Sequence, residues 1–298
     1  MSGRRLRVGT ASWTDRTLTQ ESDWYPSRSM SATERLRFYA SVFPVVEVDA
    51  TYYFPPTPDL AGKWVHRSPA DFRFDIKAYS LLTHHPTKPE SLWDDVAGGL
   101  PSARKRSVYL EHLPDAAVDR AFAHFHQALA PLYSSGKLGG VFFQFPPWFV
   151  ASRANRRYLE SLPDRLPGYQ AAVEFRHGSW LEEDSAARTL DLLERLGLTY
   201  VCVDGPQGFA SSVPPVTAVT ADLAVVRLHG HNAENWERKG ITAAERFRYL
   251  YSSEELAGWV EPIHRLADQA GETHVLFNNC YRDYGVRNAQ EMKRLLNC

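Results

Sequence analysis

The sequence has few cysteines and no long apolar run. Its three cysteines, Cys202, Cys280 and Cys298, lie far apart in a chain of 298 residues. This spacing excludes a disulfide framework and the paired-cysteine type of metal site. The first residues, Met1 to Leu6, lack the apolar core of a signal peptide, and no apolar run is long enough to span a bilayer. We therefore expect a cytoplasmic protein with no membrane partner.

The chain also lacks an excess of either charge. It carries 34 Lys and Arg residues against 35 Asp and Glu residues, which gives a formal net charge of −1 at pH 7. This balance excludes a global basic field that would draw the protein onto nucleic acid, although it permits a local basic patch. The hydrophobic fraction of 44% and the charged fraction of 23% are those of an ordinary soluble globular protein.

Eight short β-like runs alternate mostly with helical patterns, and this count predicts a single TIM-type (β/α)8 barrel over residues 1–298. We expect its ordered core to extend from about residue 5 to about residue 296. A doubly wound sheet is the alternative, but no glycine-rich phosphate motif follows the first strand. The predicted strands are Leu6–Ser12, Val45–Tyr52, Phe72–Ala78, Gly140–Pro146, the beginning of Ala172–Trp180, Tyr200–Asp204, Ala224–Gly230 and Thr273–Asn279.

The helical patterns lie between these runs, and two long segments interrupt the alternation. Tyr79–Pro114 and His231–Ser252 are too long for simple connectors. We predict that both are elaborated loops over the carboxyl ends of the strands, where barrels of this class hold their clefts. The first predicted helix begins near Ser31 or Thr33 and continues to Val42. The other predicted helices are Pro58–His66, Ala116–Tyr133, Arg153–Leu162, Ser185–Leu196, Glu254–Ala270 and Arg287–Leu296.

Four predicted strands alternate apolar residues with charged ones. In the fifth strand, for example, Val173 and Phe175 alternate with Glu174 and Arg176. Because successive strand residues face opposite sides of a sheet, the apolar set is expected against the helices and the charged set inside the barrel. The same alternation appears around Glu47 in the second strand, Lys77 in the third and Arg227 in the seventh.

The polar set near the strand ends is the predicted functional site. A purely structural ion network is the alternative, but it stabilises a core poorly because each buried ion loses several kcal/mol of hydration. We therefore favour a functional site. The predicted catalytic residues are Glu174, Asp204, His229 and Lys77, and the predicted substrate-binding residues are Glu47, Gln144, Arg176, His177, Arg227, Asn278, Asn279 and Trp236.

A series of short motifs runs along nearly the whole chain, in order, at the predicted strand ends. They are Val46–Tyr53 with Pro55, Phe74–Lys77 with Thr83 and His84, Phe143–Pro146, Glu174–Trp180, Arg227–Gly230 with Trp236 and Tyr249–Tyr251, and Phe277–Cys280 with Asn288 and Ala289. These motifs resemble those of the family called domain of unknown function 72, the YecE-like proteins. The chain departs from the family pattern at Asp49, where Asn is more usual, and at Thr10–Trp13, where a glycine usually follows the serine. The resemblance implies a TIM-type barrel and supplies no reaction.

The residues favour a metal-independent enzyme, without a cofactor, that acts on a polar or anionic small molecule. Lys77, Arg176 and Arg227 would hold phosphate or carboxylate groups, and Glu174 with Asp204 or His229 would move protons. The pattern does not distinguish a hydrolase from a lyase or an isomerase, and it does not indicate an oligomeric state.

Two other functions are compatible with the pattern. One is a divalent-metal phosphodiesterase, endonuclease or isomerase with Glu47, Glu174, Asp204 and His229 as ligands; three nearby cations argue against it. The other is a non-catalytic module that binds a ligand or nucleic acid. The net charge of −1 makes nucleic acid the less favoured partner. The candidate stacking residues are Trp13, Trp24, Tyr25, Trp148 and Trp236.

Overall fold

Eight parallel strands close into a barrel in the computed structural model, which describes residues 5–100 and 106–298. Each strand pairs with the next along the chain, and the last pairs with the first. Each predicted run overlaps one strand, so the predicted TIM-type barrel is confirmed. The strands are β1 (Arg5–Ala11), β2 (Val45–Val48), β3 (Arg73–Lys77), β4 (Leu138–Gln144), β5 (Ala171–Glu174), β6 (Thr199–Asp204), β7 (Leu223–Leu228) and β8 (Glu272–Phe277).

The helices surround the barrel, and the seven predicted ones are present with small shifts at their ends. Three shorter helices lie in connections that the sequence pattern left irregular, and residues 205–222 connect β6 to β7 without a helix. The helices are α1 (Arg16–Gln20), α2 (Ala32–Val42), α3 (Pro58–His66), α4 (Asp94–Ala97), α5 (Asp115–Ser134), α6 (Arg153–Arg165), α7 (Glu183–Arg195), α8 (Ala243–Arg246), α9 (Ser253–Gln269) and α10 (Tyr284–Leu296). None of the described helices is long and apolar enough to cross a membrane.

The second strand is shorter than predicted. β2 ends at Val48, and Asp49–Tyr52 forms a turn of 3₁₀-helix where the alternating pattern predicted four more strand residues. The hydroxyl of Thr51 donates to the carbonyl oxygens of Val48 and Lys77, each at 2.7 Å, and so holds the turn against the end of β3. A threonine side chain that bonds nearby carbonyls in this way competes with the strand ladder.

The alternation of side chains is otherwise as predicted. Phe74 points to the helix layer, where its ring stacks on Trp64 of α3 at 6.0 Å between centroids. On the opposite side of the sheet, Glu47, Glu174 and Arg227 are at most 1% exposed. The charged side chains therefore fill the interior of the barrel, as expected from a period of two along each strand.

A second charged cluster fills the amino-terminal end of the barrel interior. His274 of β8 lies between two carboxylates, with Nδ1 2.9 Å from Asp75 and Nε2 3.2 Å from Glu272. Arg7 also pairs with Glu272. A Cβ atom at residue 139 would collide with the Asp75 carboxylate, so this position requires glycine. Asp75 and His274 are fully buried, whereas the side chains of Arg7 and Glu272 are 10% and 18% exposed.

The carboxylates determine the protonation of His274. Burial alone would lower the pKa of the imidazole, but Asp75 and Glu272 raise it to about 9. The group therefore stabilises the folded chain fully below the unfolded pKa near 6.5, and this contribution is lost as the pH rises through about 9.

We predict that His274→Gln changes the pH dependence of stability. The difference in free energy of unfolding between wild type and variant should fall by on the order of 3 kcal/mol between pH 6 and pH 9.5, because the imidazolium deprotonates in that range. Urea unfolding of both proteins at a series of pH values measures the difference. A difference that stays constant over this range would contradict a charged His274.

Candidate functional site

A pocket of about 530 Å³ opens at the carboxyl ends of the strands. Its floor carries side chains from the ends of β3, β4 and β8 and from the segment after β5, and one wall comes from residues 241–247. This is the end of the barrel at which enzymes of this architecture hold their active sites. Polar and aromatic residues that line it include Asp15, Asp49, Tyr53, Lys77, Gln144, Arg176, Arg246, Phe247 and Asn278.

One guanidinium joins two buried carboxylates beneath this pocket. Arg227 donates from Nε and Nη2 to the two oxygens of Glu47, at 2.8 and 2.7 Å. Its Nη1 donates to Oε2 of Glu174. All three side chains are at most 1% exposed. Three of the five N–H groups of Arg227 are thus used inside the barrel, and Arg227 is not among the residues that line the pocket above it.

The second oxygen of Glu174 accepts from three groups at once. Gln144 Nε2 lies 2.7 Å from Oε1, Arg176 Nη1 lies 3.1 Å from it, and His229 Nε2 lies 3.2 Å from it. Burial alone would raise the pKa of Glu174, but Arg227, His229 and Arg176 together hold it well below its usual range. These contacts favour a role in orienting cations over the predicted role in proton transfer, because a strongly stabilised carboxylate is a weak base.

His229 is neutral in this arrangement. Burial lowers the pKa of its imidazole to about 4, against the opposing effect of Glu174. A neutral imidazole that faces a carboxylate through Nε2 carries its proton there, so Nδ1 accepts the hydrogen bond from Asn278 Nδ2 at 2.9 Å. The predicted residues His229, Glu174 and Asn278 are therefore brought together into one hydrogen-bonded row.

Lys77 and Asp49 form the ion pair that faces the pocket. The ammonium of Lys77 lies 3.0 Å from Oδ1 of Asp49, and the two side chains are 16% and 30% exposed. Burial would raise the pKa of Asp49, but Lys77 and Arg227 lower it overall. Asp49 was absent from the predicted site. The alternation had already assigned it to the same face as Glu47, and this signal could have identified it.

Two different contacts hold the guanidinium of Arg176. One amino group donates to Glu174, and the guanidinium lies 4.5 Å above the ring of Trp236. Trp236 belongs to the long segment after β7, and its carbonyl accepts a hydrogen bond from Arg246. The prediction brought Arg176 and Trp236 into one site, and the structure places them in contact. Arg246 and Phe247 also line the pocket. They lie outside any strand pattern, so no sequence signal could have identified them.

Three predicted site residues lie apart from this cluster. Asp204 bonds His231 at 3.0 Å and the Tyr251 hydroxyl at 2.6 Å, and Glu174 is not among its partners. His177 accepts from the backbone of Ser179 in a turn. Asn279 donates to the Tyr249 carbonyl and to Asn288 on α10.

The two long segments follow β3 and β7 at the same end of the barrel, and among their described residues only those of the second line the pocket. Ile241, Ala243, Arg246 and Phe247 of the second segment do so. The described residues of Tyr79–Pro114 instead line a neighbouring pocket of about 370 Å³ through His84, Tyr109 and Glu111. Residues 101–105 of that predicted segment lie outside the described part of the chain.

The carboxylates of the site are occupied by protein cations and donors. Within residues 5–100 and 106–298, no three His, Cys, Asp or Glu side chains are grouped so that they could hold a metal ion. Of the four predicted ligands for a divalent metal, Glu47, Glu174 and His229 share one hydrogen-bonded cluster, and Asp204 bonds other partners.

The fold and the pocket define a TIM-barrel protein with a charged site at the carboxyl ends of its strands. Residues 7–298 match the family described as "Protein of unknown function DUF72", and the chain belongs to this family. The resemblance to the YecE-like proteins is thereby confirmed.

Relatives of known sequence or structure align over nearly the whole chain. The UPF0759 protein YunF of Bacillus subtilis is 31% identical over 295 residues, which cover 98% of this chain and 94% of that protein. A crystal structure of a DUF72 family protein from Thermotoga maritima superposes with a TM-score of 0.77 at 31% identity and covers 99% of this chain and 100% of its own. One from Enterococcus faecalis gives a TM-score of 0.80 at 26% identity, with 99% and 96% covered.

We predict that Glu174→Gln destabilises the protein by about 3–5 kcal/mol, because it leaves the buried Arg227 and the half-buried Arg176 with one carboxylate fewer. Urea unfolding beside wild type measures the loss. Glu160→Gln on α6 is the matched control, because it makes the same chemical change at an exposed site. A loss at residue 174 no larger than that of the control would instead support proton transfer by Glu174.

Proposed function

We propose that the protein is a metal-independent enzyme that binds a small anionic molecule in the pocket at the carboxyl ends of the strands. The observation that carries the proposal is the pair of cations at the pocket floor. Lys77 and Arg176 are 16% and 13% exposed, and both side chains line the pocket. Each rests on a carboxylate behind it, and partly exposed cations held in this way suit a phosphate or carboxylate group.

The contacts support different roles for the predicted residues. Arg176 and Lys77 would hold the anionic group, while Gln144 and Asn278 would offer amide oxygens to neighbouring hydroxyl groups. Each amide uses one N–H within the protein, toward Glu174 or His229, so its oxygen and its second N–H are left for a ligand. Asp49 is the carboxylate best exposed to the pocket among the charged interior groups, and a bound molecule would meet it in its ion pair with Lys77.

A non-catalytic binding protein is the second candidate, and exposed rings near the pocket support it. Tyr53 lines the pocket and is 64% exposed, and Trp148 is 56% exposed. Stacking on nucleic acid has weaker support. Of the five aromatic residues predicted for it, Trp13, Tyr25 and Trp236 are at most 7% exposed. Trp24 packs on Phe38 at 5.0 Å and on Phe43 at 6.1 Å.

We predict that the protein binds inorganic phosphate and that Arg176→Gln and Lys77→Gln each weaken this binding by about 10- to 100-fold, the usual worth of a charge-assisted hydrogen bond. Calorimetric titration at low salt measures the affinity. The control is Lys63→Gln on α3, whose lysine is 51% exposed and pairs only at the surface with Asp59. Equal affinities in all four proteins, or none in wild type, would refute an anion site at this floor.

We predict that protein purified without chelator contains well below one metal ion per chain, because Lys77, Arg176 and Arg227 surround Glu47 and Glu174, two of the three carboxylates that were predicted as ligands. Elemental analysis measures the content. About one zinc, manganese or iron ion per chain in wild type, lost in Glu174→Gln, would instead support the divalent-metal enzyme.

A further inference from the structure

Residues 231–252, here called the lid segment, form the outer wall of the pocket. They connect β7 to α9, and Ile241, Ala243, Arg246 and Phe247 of this segment line the pocket. Most of their neighbours in the segment are exposed or half-buried, and its one regular element is α8, four residues long. A segment with few buried apolar contacts opens at low cost compared with the barrel itself.

Two carboxylates outside the lid segment hold both of its ends. At the first end, His231 lies 3.0 Å from Asp204 through Nε2 and 3.2 Å from Glu255 through Nδ1. At the second end, the Tyr251 hydroxyl donates to Asp204 at 2.6 Å, and the Tyr249 hydroxyl donates to Glu255. Asp204 belongs to β6 and Glu255 to α9, so the scaffold supplies the carboxylates and the lid segment supplies the donors.

The charge of His231 suits this bridge. The hydrogen bond with Asp204 raises the pKa of the imidazole, and Glu255 adds to the rise against the opposing effect of burial. A protonated imidazole donates from both nitrogens, which is what two flanking carboxylates require. The rings of Tyr249 and Tyr251 pack against it, at 5.1 and 5.5 Å between centroids.

The closed lid segment also contacts the proposed anion site. Inside the segment, Arg246 donates to the carbonyl oxygens of Asn235 and Trp236 and so ties its first half to its second. The Trp236 ring then covers Arg176. The position of the lid segment therefore determines whether the guanidinium of Arg176 has an aromatic surface beneath it or water.

We propose that the lid segment opens and closes over the pocket as one unit, and that Asp204, His231 and Glu255 are positioning residues that hold it closed. The proposal assigns to Asp204 a role distinct from the proton transfer predicted from the sequence. It rests on the proposed function for the identity of the pocket, since closure matters only if a ligand enters there. A ligand would enter while the bridge is open and would be enclosed, with Trp236 behind Arg176, when the bridge forms.

Hydrogen exchange of the ligand-free protein tests the bridge. In Asp204→Asn the amides of residues 231–252 should exchange about tenfold faster or more, while those of the barrel strands keep their wild-type rates. Asp191→Asn is the matched control, because Asp191 forms an exposed ion pair with Arg195 on α7. Glu255→Gln removes the other carboxylate and gives a second reading if Asp204→Asn fails to fold.

A spectroscopic signal distinguishes positioning from a general loss of stability. With 5-fluorotryptophan incorporated, the ¹⁹F resonance of Trp236, assigned through Trp236→Phe, should shift or broaden in Asp204→Asn and in Glu255→Gln. The resonance of Trp180, a fully buried residue in the 3₁₀ turn after β5, should not change.

Unchanged exchange in the lid segment together with an unchanged Trp236 resonance in both variants would overturn the proposal, as would a uniform increase over the whole chain. Inorganic phosphate added to wild type should slow exchange in the lid segment. If the variants open the lid segment, but phosphate does not bind to wild type and does not slow hydrogen exchange in the lid segment, the lid proposal stands and the proposed function fails.

Discussion

The ion pairing of Arg227 with two carboxylates is the interaction on which the upper half of the barrel depends. Glu47, Glu174 and Arg227 come from β2, β5 and β7, so the guanidinium joins strands that are not neighbours in the sheet. Removing such groups from water costs several kcal/mol for each ion, and only complete pairing offsets this cost. The interior at this level is therefore a charged cluster, and replacing any one of its three residues alone leaves a buried charge incompletely paired. Apolar side chains of the same volume would stabilise the barrel at least as well, so the charges call for a functional reason.

A comparison of the two charged clusters shows where that function lies. In the lower cluster Asp75 and His274 are fully buried, and the outer members Arg7, Arg73 and Glu272 pair with one another with side chains 10–18% exposed. The upper cluster is buried at Glu47, Glu174 and Arg227 and continues outward into Lys77, Asp49 and Arg176. Both clusters therefore reach solvent, and they differ in what their outer groups face. The outer groups of the upper cluster line the pocket at the carboxyl ends of the strands, and a concave pocket with a few convergent polar groups is what a binding site requires.

The sequence predicted most where the alternation placed polar residues near the carboxyl end of a strand pattern. Glu174 with Arg176, and Arg227 with His229, alternate there with apolar residues, so Glu174 and Arg227 could be assigned to the interior. In β8 the interior face continues beyond His274 to Leu276, so His274 lies away from the strand end at which the site was predicted and was missed. In β6 all six residues are buried, and no helix follows this strand. Alternation there could not show that Asp204 bonds the lid segment. The pocket wall formed by Arg246 and Phe247 could not be predicted either. Their loop has no regular alternation of apolar and polar residues, so its sequence does not indicate which side chains face the pocket.

The ion pairs of the upper cluster determine which of its cations remains available to a ligand. Three cations, Lys77, Arg176 and Arg227, meet three carboxylates, Glu47, Asp49 and Glu174. Arg227 takes both oxygens of Glu47 and one oxygen of Glu174, so Arg176 shares the remaining oxygen with Gln144 and His229. Arg176 is therefore the least neutralised cation of the set. It is also partly exposed, and Trp236 shields one of its faces from water. Such a cation interacts with an anion more strongly than a cation in open solvent does. It is incompletely paired, a buried carboxylate orients it, and an indole ring excludes water from one of its faces. The buried pairing of Arg227 thus leaves Arg176 available to the pocket.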